Sequence, residues 1–498
     1  MEHKLEQYIE DYKIIKFLGR GKSAYSYLVE KNDVFYVYKQ MHQEKIDYYH
    51  FDDKLEHELS AYKVLKDSSI RIPKLISYDQ EKQYLIKEYI DGPTLAEYIS
   101  KGTFDIDAFL TLYAHAMVLE KQKINIDYFP TNFIYKDGEI IYIDYEINEY
   151  HASWDFIHWG SLFLFHQKGF LQYLKDFKDT SLLLDDQGLP QVDPVKKEHD
   201  AFMELIKLLP ILDIIEKLQK IEIKPVITRI STINSGFAAK VFKIETKVQA
   251  YIYKVYDNLS IKDSIRLEIK AYEEPNQYMP KMYDHGMHNG FIWILFEFID
   301  GEKTMDLYQK TQETRLIEAF TDALINVHQE TNQQTSHDFI DEEIHQIERI
   351  NSNLKDQGIS KIIEVLKEKK ADIKACPLSR IHGDYHPWNT LHKDDQMYII
   401  DWMYRYGDYR YDVMWTYALL YRSGFEEIAN LFLKRYQDKH PIIDMDFFLT
   451  LANVRWFANV KLSLVNKQQD DLYDIIKFQR EKLNELNPFF KEKILKFN

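Results

Sequence analysis

The chain has 498 residues, of which 45% are apolar and 29% charged, with only 16 Gly and 13 Pro. That length exceeds what one hydrophobic core supports, and that composition excludes collagen-like and disordered classes. The formal charge of −16 argues against general nucleic-acid binding, which needs a basic face to displace counterions.

A single cysteine, Cys376, rules out an intramolecular disulfide and fits a reducing cytoplasm. The opening stretch MEHKLEQYIEDYK is charged and lacks an apolar centre, so no signal peptide is expected. No apolar run approaches the ~18 residues of a membrane helix. Aromatic residues reach 15%, including 37 Tyr, and the sequence offers no functional reason for them.

In chain order, the first motif is FLGRGKSAYSYLV, residues 17 to 29. It contains the Gly-Lys-Ser ending of a P-loop, but the glycine required five positions before Gly21 is Lys16, so the P-loop pattern fails. What remains is Gly19-x-Gly21 in a predicted antiparallel arrangement of strands at 14–18, 25–30 and 34–39, the last bearing Lys39. A helix then carries Glu58, and a strand runs into KEYIDG at 87–92. A helical half follows, interrupted by the polar loop DYFPTN and the hairpin NFIYKDGEIIYIDYE. WGSLFLF at 159–165 reads as a buried helix segment, and 198–220 shows helical periodicity interrupted by Pro210.

The same order then recurs. Strands are predicted at 226–233, 240–245 and 250–255, with AYIYKVY matching FYVYKQM and aligning Lys254 with Lys39. EIKAYEEP matches ELSAYKVL and aligns Glu268 with Glu58, while FEFIDG matches KEYIDG. DYHPWN matches DYFPTN, and YIIDW matches IYIDY. Asp127 to Asn132 spans five residues, as does Asp384 to Asn389; Asn132 to Asp144 spans twelve, as does Asn389 to Asp401; Asp144 to Asp155 spans eleven, as does Asp401 to Asp412. Three equal intervals between identical residue types point to two related domains in tandem, expected at 1–220 and 221–498. Each reads as a small β-rich lobe followed by a larger helical lobe, an α+β architecture.

The repeated polar set is one Lys, one Glu, two Asp and one Asn. A lysine on an apolar strand needs a partner, and a glutamate on the next helix supplies one, holding the ammonium where it can contact phosphate oxygens. Asp and Asn provide hard oxygen ligands suited to Mg²⁺, and the remaining Asp can accept a hydroxyl proton. Taken singly each residue has a bland reading, as a turn former or an edge-strand charge. Taken in order and twice over, the arrangement is that of protein kinases.

The segment IHGDYHPWNTLHKDDQMYIIDW, 381 to 402, resembles the signature of the aminoglycoside phosphotransferase and choline kinase-like family, with its His-Gly-Asp-x-x-x-x-Asn loop and Ile-Asp-Trp strand. The resemblance covers most of 225–498 and implies a protein-kinase-like fold. By position it makes Asp384 the catalytic base, and Asn389 and Asp401 the Mg²⁺ ligands. Lys254 would grip the phosphates of ATP or GTP, oriented by Glu268, and the backbone at Glu297, Phe298 and Ile299 would receive the base. His382 would orient the loop and Asp412 would anchor it. In the first copy the same roles fall to Asp127 as base and to Asn132 and Asp144 as metal ligands. Nucleotide contacts there fall to Gly19, Gly21, Lys39, Glu58, Glu88, Tyr89 and Ile90.

The copies differ. His382-Gly383 is replaced by Asn125-Ile126, and the second glycine loop, INSGFAAKV, keeps only Gly236. From the IDG turn to the catalytic Asp is 35 residues in the first copy and 83 in the second. The extra 48 residues are helical by pattern and lie where the family builds its acceptor site. They hold Asp338, Asp341, Glu342 and Glu343, a cluster that suits a solvated helix face or N-terminus or, as the alternative, a polyamine-like acceptor.

The expected activity is γ-phosphoryl transfer to a hydroxyl of a small molecule, a cationic one included, with the C-terminal copy as catalyst. Two alternatives stand beside it: the N-terminal copy as a protein Ser/Thr kinase, and one copy as a non-catalytic nucleotide- or partner-binding domain. No nucleic-acid or membrane partner is expected. Antibiotic, choline-like alcohol, sugar, homoserine and protein side chain all stay open as acceptors, because acceptor pockets carry no motif.

Overall fold

The computed structural model describes residues 8–21, 23–42, 53–103, 105–177, 179–233, 239–256, 262–403 and 405–467. They fall into two units, one within Met1–Asp257 plus Gly286–Trp293, the other within Asn258–His285 plus Ile294–Asn498. The second copy's glycine loop, with Gly236, lies outside the described residues.

In the first unit, β-branched and aromatic runs form a six-stranded antiparallel sheet. Its strands stand in the order Tyr8–Ile9, Tyr12–Arg20, Ala24–Lys31, Val34–Met41, Tyr84–Glu88, Leu75–Asp79. The helix Lys54–Leu65 buries Leu55, Leu59 and Ala61 against Ala24, Met41 and Leu85 of that sheet. Asp53 caps it by accepting from Glu56 N at 2.9 Å.

The helical part of this unit centres on Ile106–Lys121, buried along most of its length. Here the aromatic excess finds a use: Phe109, Phe165 and Phe202 meet edge-to-face or tilted, with centroids 5.5 to 6.4 Å apart. Pro210 separates the helices Lys196–Ile206 and Ile211–Leu218, as the sequence pattern predicts. The expected helix at 159–165 is only a π turn, Phe156–Gly160, followed by a single α turn, Ser161–Phe163.

A second meander, Ile227–Ile233, Lys240–Thr246 and Ala250–Tyr256, belongs to the same unit. Its outer strand lies along the helix Ile106–Lys121. Ile230 N donates to Thr111 Oγ1 at 2.9 Å, and Thr232 N donates to Asp107 Oδ1 at 2.8 Å. Helix side chains thus satisfy groups that a free strand edge would leave open. The helix Ile106–Lys121 and the strand Ile227–Ile233 thus belong to one unit.

The second unit is mainly helical, with long helices at Thr314–His328, Ser336–Leu354, Gln357–Lys369, Tyr409–Arg422, Glu426–Lys439 and Met445–Lys467. The helices Ser336–Leu354 and Gln357–Lys369 fill the 48-residue insertion that the sequence marks as helical. Small sheets frame the polar loop at 381–389: Pro377–Arg380 pairs with Thr331–Thr335 and Tyr406–Gly407, and Thr390–Lys393 pairs with Gln396–Ile399. Overall the chain is mixed α/β, with a β-rich N-terminal region and a helical C-terminal part. No helix among the described residues is long and apolar enough to cross a membrane.

Candidate active site

Asp384 sits in the loop between Pro377–Arg380 and Thr390–Lys393, and its side chain is 47% exposed. Its position is fixed from three directions. Its backbone N donates to His382 Nδ1 at 3.1 Å, Trp415 Nε1 donates to its Oδ1 at 2.9 Å, and His386 Nε2 lies 3.6 Å from its Oδ2. Burial of the loop would push this carboxyl up, but His386 and then Trp415 hold it down at about 2. It is therefore ionised at neutral pH and able to accept a proton.

His382 is fully buried. Because its Nδ1 accepts from Asp384 N, its Nε2 carries the proton and donates to Ile400 O at 2.9 Å. Burial lowers its pKa, so the ring is neutral. It ties the loop to the strand end before Asp401. Asp412, also fully buried, accepts from His382 N at 2.8 Å and Gly383 N at 3.0 Å, and faces His328 Nε2 at 3.1 Å. Gly383 has φ of 87°, a conformation that side-chain-bearing residues rarely adopt.

Several of these local contacts have counterparts at the positions that the sequence repeat pairs. Asn389 Nδ2 donates to Asp384 O at 3.1 Å, and Asn132 Nδ2 donates to Asp127 O at 3.4 Å. Ile400 N donates to Asn389 O and Ile143 N to Asn132 O, both at 2.9 Å. In the strands, Lys39 lies opposite Ser26 and Lys254 opposite Val241, which is the same register. The segments expected to receive a base also match: Glu88 N donates to Lys74 O at 2.9 Å and Glu297 N to Lys281 O at 2.8 Å. Ile90 and Ile299 are buried there. Tyr89 stands edge-on to Phe35, with centroids 6.4 Å apart. Phe298 continues the second segment, next to Glu297.

In the first unit the expected lysine–glutamate pair is present. Lys39 Nζ lies 2.6 Å from Glu58 Oε1 and 2.9 Å from Asp144 Oδ1, and Lys39 and Glu58 are buried. Burial would lower the lysine, but Asp144 and Glu58 raise it above its ordinary value. Burial would raise Asp144, and Lys39 holds it at about 2. Lys254 lies in the first unit, with its Nζ 5.4 Å from the Tyr256 ring centroid, and Glu268 is buried in the second.

Asp127 differs from Asp384. The repeat spacing places Phe129 where the second copy has His386, and His158 where it has Trp415. His158 Nδ1 turns instead to Asp155 Oδ1, 3.0 Å away, and Asp155 caps the turn at 156–160 rather than anchoring the loop. Ile126 cannot follow the backbone of Gly383; it lies in a strand, Ile124–Ile126, opposite Ile147.

Gly19 lies at the end of the strand Tyr12–Arg20 and Gly21 opens the turn that follows, which is closed by Gly21 N donating to Ala24 O at 2.8 Å. A Cβ on Gly19 would meet nothing within 4 Å. Neither glycine is required by the turn itself, and the space over Gly19 is open to a ligand.

The candidate Mg²⁺ donors are one amide and one carboxylate per copy. Among the described residues no group of three or more His, Cys, Asp and Glu side chains is placed to hold a metal. Mg²⁺ commonly takes one or two protein oxygens and completes its shell with phosphate and water, so the donor set fits in kind. Asn389 commits its Nδ2 to Asp384 O, which leaves Oδ1 as an oxygen donor. Asp401 takes a left-handed backbone, φ 61°.

The acidic cluster of the insertion is not one open site. Glu343 is fully buried and paired with Arg405, with Arg455 3.8 Å away, and Asp341 pairs with Lys370. Asp338 and Glu342 are exposed.

Three residues carry no motif and were not legible in the sequence. Trp415 is one. Arg422, two helical turns further on, is 1% exposed, with both terminal nitrogens lacking hydrogen-bond partners; its Cζ lies 4.3 Å from the Trp456 ring and 5.8 Å from the Trp415 ring. Lys87 is buried beside Lys39, donating to Ile143 O at 2.5 Å, and burial pulls its pKa down to about 8.

No curated protein matches the chain. Among solved structures, a putative fructosamine-3-kinase from Haemophilus somnus 129PT is similar at 16% identity, covering 55% of this chain and 96% of that one, with a TM-score of 0.41. The aminoglycoside phosphotransferase APH(4)-Ia is similar at 14% identity, covering 55% and 97%, with a TM-score of 0.41. The spectinomycin phosphotransferase APH(9)-Ia, solved with ADP and spectinomycin, is similar at 14% identity, covering 54% and 93%, with a TM-score of 0.37. Residues 229–446, which include Lys254, Glu268, Asp384, Asn389 and Asp401, carry a domain that matches the model of the phosphotransferase enzyme family, APH.

Proposed function

We propose that the chain is an ATP- or GTP-dependent phosphotransferase that acts on a hydroxyl of a small molecule, with the catalytic centre in 221–498. The observation that carries this reading is Asp384, an ionised and half-exposed carboxylate held by His382, His386 and Trp415. The family match over 229–446 supports a kinase-type enzyme.

In this mechanism the acceptor hydroxyl oxygen bonds to the γ-phosphorus as its proton passes to Asp384. The bond from that phosphorus to the bridging oxygen breaks, and nucleoside diphosphate leaves. A carboxylate with so low a pKa is a weak base, so Asp384 contributes mainly by aligning the hydroxyl. His382, Gly383 and Asp412 hold the loop that carries it. Asn389 and Asp401 would hold Mg²⁺, which when bound neutralises phosphate charge. Lys254, oriented by Glu268, would add a fixed positive charge at the phosphates, and Glu297, Phe298 and Ile299 would receive the base.

For the first copy we infer a kinase-like domain that binds nucleotide without efficient transfer. The shared register and loop hydrogen bonds support its kinship, and the Lys39–Glu58–Asp144 cluster supports phosphate binding near Gly19 and Gly21, with Glu88, Tyr89 and Ile90 at the base. Phe129 and His158 stand at the positions of His386 and Trp415, and Asp127 Oδ1 accepts instead from Phe129 N at 3.0 Å. Asp127→Asn in the full chain should leave transfer unchanged, and Asp384→Asn should lower it by about 10²–10⁴-fold; the reverse pattern would overturn the assignment.

A further inference from the structure

The first unit contains a cavity of about 370 Å³ that none of the residues discussed above as catalytic, metal or nucleotide ligands lines. It is walled by the segment following the helix Lys54–Leu65, by His115 of the helix Ile106–Lys121, by the strand Glu139–Tyr142, and by Thr228 and Lys247 of the second meander. Its volume is that of a metabolite site.

Two polar atoms in its wall lack partners. His115 is 3% exposed, and its Nδ1 has no hydrogen-bond partner. Ser69 Oγ is likewise buried and unsatisfied. Buried polar atoms left unpaired are uncommon and call for an occupant that pairs them. Burial holds the His115 ring neutral, so it can serve as a hydrogen-bond donor without adding charge.

The charged part of the lining is mainly cationic. Lys66, Arg71, Lys74 and Lys247 stand against the single carboxylate Glu139, which pairs with Arg71 at 2.5 Å. Among the described residues the three lysines make no ion pair. In a chain of net charge −16, four cations and one anion around one cavity form a local field opposite to that of the whole molecule.

We infer that this cavity binds a small organic polyanion, a phosphate ester or a polycarboxylate, with its charge against Lys66, Lys74 and Lys247 and its polar body on Ser69 and His115. Because Thr228 and Lys247 come from the second meander and the other wall residues from the first copy, an occupant would bridge the meander to the helix that carries His115.

The test is titration calorimetry on the full chain, without divalent metal, using pyrophosphate and citrate as probes. Binding of either is expected, and which of the two binds tells phosphate from carboxylate recognition. The double variant Lys66→Glu/Lys247→Glu, both exposed positions, should weaken it at least about tenfold. His115→Phe should weaken it without changing charge, which guards against misfolding of the charge variant. Binding of neither probe overturns the inference. So does binding undiminished in both variants, because the anion then sits elsewhere, at the candidate nucleotide sites for example.

Discussion

Trp415 donates its indole N–H to Asp384 Oδ1 over 2.9 Å, and two turns along the same helix Arg422 lies against that indole, fully buried and without a hydrogen-bond partner. Burial lowers the guanidinium to about 9, while Asp384 and Tyr411 favour its charged form. An unpaired buried cation costs several kcal/mol. What this one gives is a positive potential behind the Asp384 carboxylate, which favours its ionised form.

Removing that potential should be visible at Asp384 itself. Arg422→Met is expected to raise the Asp384 pKa from about 2, read by carboxyl NMR titration, while leaving urea stability equal or higher, because an apolar isostere avoids the desolvation cost. Trp415→Phe should raise the same pKa and slow transfer by roughly 10² or more. An unchanged Asp384 titration in both variants would show that neither residue tunes it.

The first unit should depend on its buried lysine. Lys39→Met removes the cation paired directly with both Glu58 and Asp144, leaving them only the weaker field of Lys87, and Glu58 Oε2 already has no hydrogen-bond partner. The expected loss is about 3–5 kcal/mol in urea unfolding, with loss of nucleotide binding by that unit. Wild-type stability in this variant would mean that the cluster contributes nothing net.

Acid should act on the same cluster. Asp144 is held at about 2 against an ordinary 3.8, so its contribution is complete above about 4 and disappears as pH falls towards 2. It amounts to roughly 2 kcal/mol. The stability difference between wild type and Asp144→Asn should therefore shrink across that window. A constant difference down to pH of about 2 would contradict the pairing.

The loop that carries Asp384 should loosen without Asp412. Asp412→Ala removes the acceptor for His382 N and Gly383 N and takes the partner from His328 Nε2, whose Nδ1 keeps Tyr436 OH at 2.7 Å. Faster amide exchange at residues 382–384 and a fall in transfer of about 10²-fold are expected. Protected amides in the variant would mean that the loop is held by other contacts.

Much of this was legible in the sequence because it is periodic or repeated. The strands bearing Lys39 and Lys254 lie within a few residues of the expected ones, since runs of apolar, β-branched and aromatic residues mark them. The Asp-x-x-x-x-Asn loop was legible because a hydrogen bond from the Asn amide to the Asp carbonyl demands that spacing. The replacement of His382-Gly383 by Asn125-Ile126 was visible as letters, but its cause was not: Gly383 needs a left-handed backbone, whereas Ile126 lies in a paired strand. Trp415, Arg422, Lys87 and His115 left no signal, because each acts through a tertiary contact with no fixed spacing. Glu343 looked like part of a surface acidic run, and only the packing of Arg405 and Arg455 shows it to be a buried ion pair.

The most direct test is label transfer from γ-³²P-ATP or γ-³²P-GTP to a library of small-molecule alcohols, comparing the full chain with Asp384→Asn. The account predicts a labelled small molecule with wild type, a fall of about 10²–10⁴-fold in the variant, and unchanged nucleotide binding by calorimetry. Transfer at the wild-type rate by Asp384→Asn, or label appearing on no alcohol, would contradict it.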